Sequence, residues 1–307
     1  MVRKSGSAWR RRSKNENGNI KGGNKQMIKF TIKSLAICFL CLIVISCSDS
    51  PGLELIPVSS GGSWAYINKK GENVISPQFA DADLFRDGLA KVVSSSGKTG
   101  YISEDGKYKI LAKFKDGTPF SDGLAFAVSD GGCPVCIDKS GETKFELKQA
   151  ERVYPFSEGF AAVLVDNKIG FIDETGKTVV EPQFDSASPF SEGFAAVCKN
   201  NKWGFIDAHG SYVIDPLYDA AMPFGEKLAC VKSNGKFGYI DKDGKMEIAP
   251  QFEAAYPFRS GLAAIRQDNK CGFVNEKGEI VISLQFDSLF VFRRCCFCQK
   301  RWQVEHY

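Results

Sequence analysis

Between residues 53 and 292 apolar and polar positions alternate in short runs, and the runs recur. Phe160-Ala161-Ala162-Val163-Leu164, Ile169-Gly170-Phe171-Ile172-Asp173 and Thr178-Val179-Val180 form one set. Positions i and i+2 of an extended strand share a face. In Lys202-Trp203-Gly204-Phe205-Ile206-Asp207, Trp203 and Phe205 therefore take one side, Gly204 and Ile206 the other. Asp173-Glu174-Thr175-Gly176, Asp207-Ala208-His209-Gly210 and Asp241-Lys242-Asp243-Gly244 part the second run from the third. An Asx acceptor opens each turn and glycine takes its left-handed corner. Asp166-Asn167-Lys168 and Asn200-Asn201-Lys202 join the first run to the second with the same hairpin chemistry. Each set predicts three antiparallel strands.

The aliphatic residue closing the second run falls at Ile67, Ile102, Ile137, Ile172, Ile206, Ile240 and Val274. A spacing of ~34–35 residues, held over seven units, is a tandem repeat. The expected fold is all-β: three-stranded antiparallel meanders stacked as an open superhelix or solenoid. A seven-bladed propeller-like ring is the alternative, although a typical blade has four strands and ~40–45 residues. The candidate repeat core is Trp64, Tyr66, Tyr101, Phe171, Trp203, Phe205, Phe237, Tyr239 and Phe273. Gly204 is expected to leave a gap beside Ile206 for a neighbouring ring. Pro77, Pro182, Pro216 and Pro250 are expected to end the third strand, and Phe190 and its counterparts to fill the space between sheets.

The unit Lys-Trp-Gly-Phe-Ile-Asp, then Val-Val-x-Pro-Gln-Phe-Asp, then Phe-Ser-Glu-Gly-Phe-Ala-Ala-Val resembles the WG-containing repeat family over residues 53–292. The resemblance implies a β-rich repeat protein, often bacterial and frequently exported. It implies no agreed activity, so no functional residue carries over. Only Trp64 and Trp203 keep the tryptophan. Unit three departs furthest: Pro134-Val135-Cys136-Ile137 lacks the glycine, and Lys148-Gln149-Ala150 stands in place of Pro-Gln-Phe.

The formal net charge is +4, but lysine and arginine crowd residues 1–26 and 293–307 and leave the repeat body mildly acidic. Nucleic acid is therefore not an expected partner, since its footprint belongs on the folded face. Met27, Lys29 and Lys33 precede an apolar run over 35–45, too short to span a bilayer and of signal-peptide proportions. It ends in Val44-Ile45-Ser46-Cys47, which resembles a bacterial lipobox. Residues 27–47 are thus expected to be a lipoprotein signal peptide and Cys47 the lipidated residue. Residues 48–52 would be a short linker, and the protein would be lipid-anchored to a membrane of the bacterial cell envelope, facing the periplasm or the surface. Residues 1–26 read as an upstream start or a disordered basic arm. Residues 293–307 break the repeat. Moving the reading frame by one base can restore the next unit, so a frameshift near Arg293-Arg294 is expected.

Candidate chemistry is sparse. Of eleven cysteines, Cys133 and Cys136 have C-x-x-C spacing, but no βαβ unit and no second ligand pair accompany them. A local disulfide or small buried cysteines are expected there, and a redox-active envelope protein using this pair is one alternative function. Cys198, Cys230 and Cys271 occupy apolar strand positions, and His209 sits in a turn. Asp87, Asp122, Glu158, Glu192 and Glu226 recur with the repeat. They suggest a stripe for capping or repeated contacts rather than the unlike carboxylate pair of a glycosidase. No metal, cofactor or catalytic residue is expected. The leading reading is a non-catalytic scaffold or binding protein for a protein or glycan ligand, with a cell-wall or polysaccharide hydrolase as the other alternative.

Overall fold

The computed structural model describes residues 55–288. Cys47 and the segments 1–26, 27–47, 48–52 and 293–307 lie outside the described residues. The chain forms seven antiparallel sheets in tandem, with no helix among the described residues and no sheet closed on itself. The first sheet has three strands, Ile56–Ser60, Ser63–Ile67 and Asn73–Phe79. Each later sheet adds a fourth, short in all but the sixth. In sheet five the order is Ser186–Ala187, Ala195–Lys199, Lys202–Ile206, Tyr212–Tyr218. The added strand pairs Ser186 with Cys198 and Ala187 with Val197. Two residues are too few to show an alternation, so this strand left no pattern in the sequence.

Turn chemistry sets the hairpins. Asn200 and Asn201 both take positive φ, 53° and 61°, the mirror-image turn whose twist suits adjoining strands. At the second hairpin the Asp207 carboxylate accepts from the His209 and Ser211 amides, each at 2.9 Å. Gly210 (φ 80°) completes that turn.

The second strand is organised around a bulge in its neighbour. Trp203 pairs with Tyr218 and Phe205 with Ile214. Three residues, Asp215-Pro216-Leu217, thus oppose the single Gly204. A Cβ on Gly204 would lie 2.5 Å from the Ile214 carbonyl oxygen and 2.8 Å from the Pro216 nitrogen. The gap beside Ile206 is therefore filled by backbone of the adjacent strand, not by a neighbouring ring. The prolines likewise do not end the third strand. Pro216 lies inside Tyr212–Tyr218, at a bulge where no ladder amide is needed. Unit three has Val135 in place of the glycine, and its third strand, Thr143–Glu146, is cut short. With no bulge pressing on it, a side chain fits there.

Adjacent sheets are joined in three ways. Phe190 is buried between sheets four and five, 5.0 Å from the Phe171 ring and 4.7 Å from Phe160. Phe120 on Tyr101, Phe224 on Phe205 and Phe258 on Tyr239 repeat the contact at 4.8–4.9 Å. Each such ring buries area worth about 1.5–3 kcal/mol. Ser157 and Ser191 hydroxyls donate to the Phe190 and Phe224 carbonyls, both at 2.8 Å. Finally, the glycine of each second hairpin lies over the preceding third strand: Gly106 over Ile75, Gly210 over Val180, Gly278 over Ile248.

That last contact decides between array and ring. Closure would set Gly71 of sheet one over Ile282 of sheet seven. A Cβ added at Gly71 would meet no described residue within 4 Å, and Ile282 is only half-buried where Ile75, Ile110, Val180, Ile214 and Ile248 are buried. Among the described residues the array is open.

Candidate functional site

The recurrent carboxylates form a ladder between units. Glu192 and Gly193 make a left-handed corner, φ 54° and 87°, that bridges Ser191 to Phe194. The corner turns the carboxylate along the array. Glu158 accepts from the Glu192 and Gly193 amides at 2.7 and 2.8 Å, and Glu192 from the Lys227 amide at 3.0 Å. Glu226 accepts from the Gly261 amide at 2.7 Å and from the Ser260 amide. Asp87 and Asp122 reach the Gly123 and Gly159 amides at 2.8 and 2.9 Å. Each acid is occupied by the next unit's backbone, a structural task.

The core candidates divide by position. Tyr66, Tyr101, Phe171, Phe205 and Tyr239 are buried, while Trp64, Trp203, Phe237 and Phe273 are half-buried. The first aromatic of the motif, at Trp64, Trp203 and Phe237, thus covers the edge, and the second makes the core except in the last unit, where Phe273 is half-buried. Tyr66, Tyr101 and Tyr239 hydroxyls donate to the carbonyls of Asp83, Thr118 and Tyr256 at 2.7, 2.8 and 2.9 Å. Burial raises all three phenols well above the ordinary tyrosine value.

Cys133 and Cys136 are both free thiols. Cys136 pairs with Phe126 across the sheet and is buried among Phe126 and Phe156. Burial, helped by the Asp138 carboxylate, pushes its thiol up to about 12, the opposite of what a reactive thiolate requires. Cys133 lies in the preceding turn, half-exposed. Cys198, Cys230 and Cys271 are buried free thiols, and His209 is exposed. Among the described residues no group of three His, Cys, Asp or Glu is placed to hold a metal ion.

One place breaks the repeat symmetry. Between sheets three and four a groove of about 590 Å³ opens, lined by the apolar Ala150, Val163, Val165 and Ile172 and by Thr178. Glu146, Lys148, Asp166, Lys168 and Glu181 supply its charged groups. Lys148 pairs with Glu146 and Lys168 with Asp185. Asp166 and Glu181 are exposed, so they lack the unlike surroundings of a glycosidase pair. Sequence reasoning singled out the lost Pro-Gln-Phe of unit three but not this groove, because a missing side chain leaves no motif.

Comparison with known proteins follows this architecture. None of the curated protein sequences matches the chain. Similar solved structures include a eukaryotic initiation factor, at 14% identity and TM-score 0.52, over 76% of this chain and 74% of that one. BamB from Moraxella catarrhalis gives 12% identity and TM-score 0.49, over 76% and 82%. The computationally designed Ika8 protein gives 11% and 0.47, over 76% and 87%. At these identities any likeness concerns the fold alone. The sequence profile of the WG containing repeat matches residues 64–95, 100–133, 136–168, 169–203, 203–237, 237–271 and 272–294. Each of the seven matches begins in the second strand of a three-stranded meander and all but the last run on into the next sheet, and the chain belongs to the WG containing repeat family.

Proposed function

We propose that this chain is a non-catalytic binding or scaffold protein of the bacterial cell envelope, held to a membrane by lipid on Cys47. Its array would present a surface to a protein or glycan partner. The observation that carries this reading is the carboxylate ladder. The acids that recur most regularly, which a hydrolase would draw on, hold neighbouring units together through Glu158, Glu192 and Glu226. The Val44-Ile45-Ser46-Cys47 sequence supports the anchor. An extended array whose units contact only their neighbours suits a long binding surface. Metabolic labelling with a radiolabelled fatty acid tests the anchor. Label is expected on the wild-type chain and lost, together with membrane association, in Cys47→Ser. An unlabelled wild-type chain in the soluble fraction would refute it. Retention of one envelope component by the detergent-solubilised chain is expected in affinity capture, and hydrolysis of purified cell wall would overturn the non-catalytic assignment.

A further inference from the structure

We propose that the groove between sheets three and four seats an aromatic side chain of a partner polypeptide, with a lysine or arginine beside it in the same segment. This rests on the binding role proposed above and names its ligand.

The other units place aromatic rings there. The residue before the amide that joins one unit to the next is aromatic at five junctions: Phe79, Phe114, Phe184, Tyr218 and Phe252. The backbone identifies the equivalent in unit three. The Glu151 amide donates to the Leu164 carbonyl at 2.9 Å, as the Asp185 amide does to Cys198 at 2.9 Å, so Ala150 stands where Phe184 stands. At two junctions this ring meets a second one that opens the next unit's third strand. Phe79 meets Tyr108 edge-on at 6.3 Å and Phe184 meets Tyr212 edge-on at 6.3 Å. Between units three and four that second position is Thr178. Both rings are gone at one junction, and Ala150 and Thr178 both line the groove.

The floor that remains suits a ring. Val163 and Ile172 are 5% and 2% exposed and belong to the core. The volume, about 590 Å³, lies in the range of pockets that enclose a ligand group. Charge supplies the second half of the specificity. Lys148 and Lys168 are already paired with Glu146 and Asp185, whereas Asp166 and Glu181 have no ion pair among the described residues. A cation next to the ring would meet these two free carboxylates, and exposed acids of this kind act through steering and salt-dependent attraction.

The test uses the full chain in detergent and three probes: acetyl-Arg-Trp-Arg amide, acetyl-Glu-Trp-Glu amide and a chitin trisaccharide. Binding is followed by amide chemical shifts at 163, 172 and 178. The basic peptide is expected to bind saturably at those residues and to weaken as salt is raised. Ala150→Phe, which restores the missing ring, is expected to reduce affinity about tenfold or more. The double variant Asp166→Asn, Glu181→Gln is expected to weaken the basic peptide several-fold without affecting folding. Thr178→Tyr fills the groove from its other wall, and it serves where Ala150→Phe does not fold. Unchanged affinity in a folded filled-groove variant, tighter binding of the acidic peptide, or shifts confined to the trisaccharide would each overturn the proposal. Affinity capture separates the two readings. If wild type and a filled-groove variant retain the same envelope component equally, the groove assignment fails and the binding role stands. If neither retains any, the binding role itself fails.

Discussion

Gly204 has no space for a side chain because the bulge at Asp215-Pro216-Leu217 brings backbone to its Cα. The same conflict recurs at Gly170 against Val180 and Pro182, and at Gly238 against Ile248 and Pro250. Where both occur, in units four, five and six, the glycine and the proline are therefore one feature seen from two strands. Unit three makes the point in reverse, since Val135 and the loss of the bulge occur together. Ala65 in unit one carries a methyl at this position and keeps the bulge, so in that unit the adjacent strand makes room for a methyl. Gly204→Val is expected to lower stability by about 1–3 kcal/mol through overpacking against backbone. The loss should be read from the urea midpoint at constant m-value. A wild-type midpoint would mean that the bulge swings away at no cost.

At the scale of the element, the corner at Glu192 holds a side chain in the left-handed region, which costs roughly 1 kcal/mol for a residue other than glycine. The hydrogen bonds its carboxylate accepts from the next unit offset that cost. Glu192→Ala keeps the strain and removes the bonds, so a destabilisation of roughly 1–2 kcal/mol is expected. Glu192→Gly removes both and should lie nearer wild type. Equal losses in the two variants, measured by thermal unfolding, would show that no strain is held at this corner. Much of the element scale was legible beforehand, because Asx-Gly and Asn-Asn turns act locally: Asp207-Ala208-His209-Gly210 spells its own hairpin. The bulge, the short strand at Ser186–Ala187 and the direction of Glu192 were not legible. Each depends on which residue faces which across a register that alternation alone leaves open. The groove was half legible: the lost Pro-Gln-Phe was visible, but its coincidence with Thr178 emerges only when two units are stacked.

For the whole molecule the decisive property is that each sheet leans only on its neighbours. Stability is then close to a sum of unit and interface contributions. The terminal sheets, with one neighbour each, should open first. Amide exchange is expected to be fastest in Ile56–Ser60 and Ile280–Phe286 and slowest in the second strands of sheets four to six. Uniform protection from end to end would show instead that the array unfolds as a single cooperative block.

The carboxylate ladder also has a direction. The acceptor is always the earlier unit and the donor the later, from Asp87 through to Gly261. Sheets two to six, which carry the acid, could therefore be duplicated or excised so long as each keeps it facing the C-terminal side. A lineage can lengthen or shorten such a protein by whole modules without redesigning a single seam.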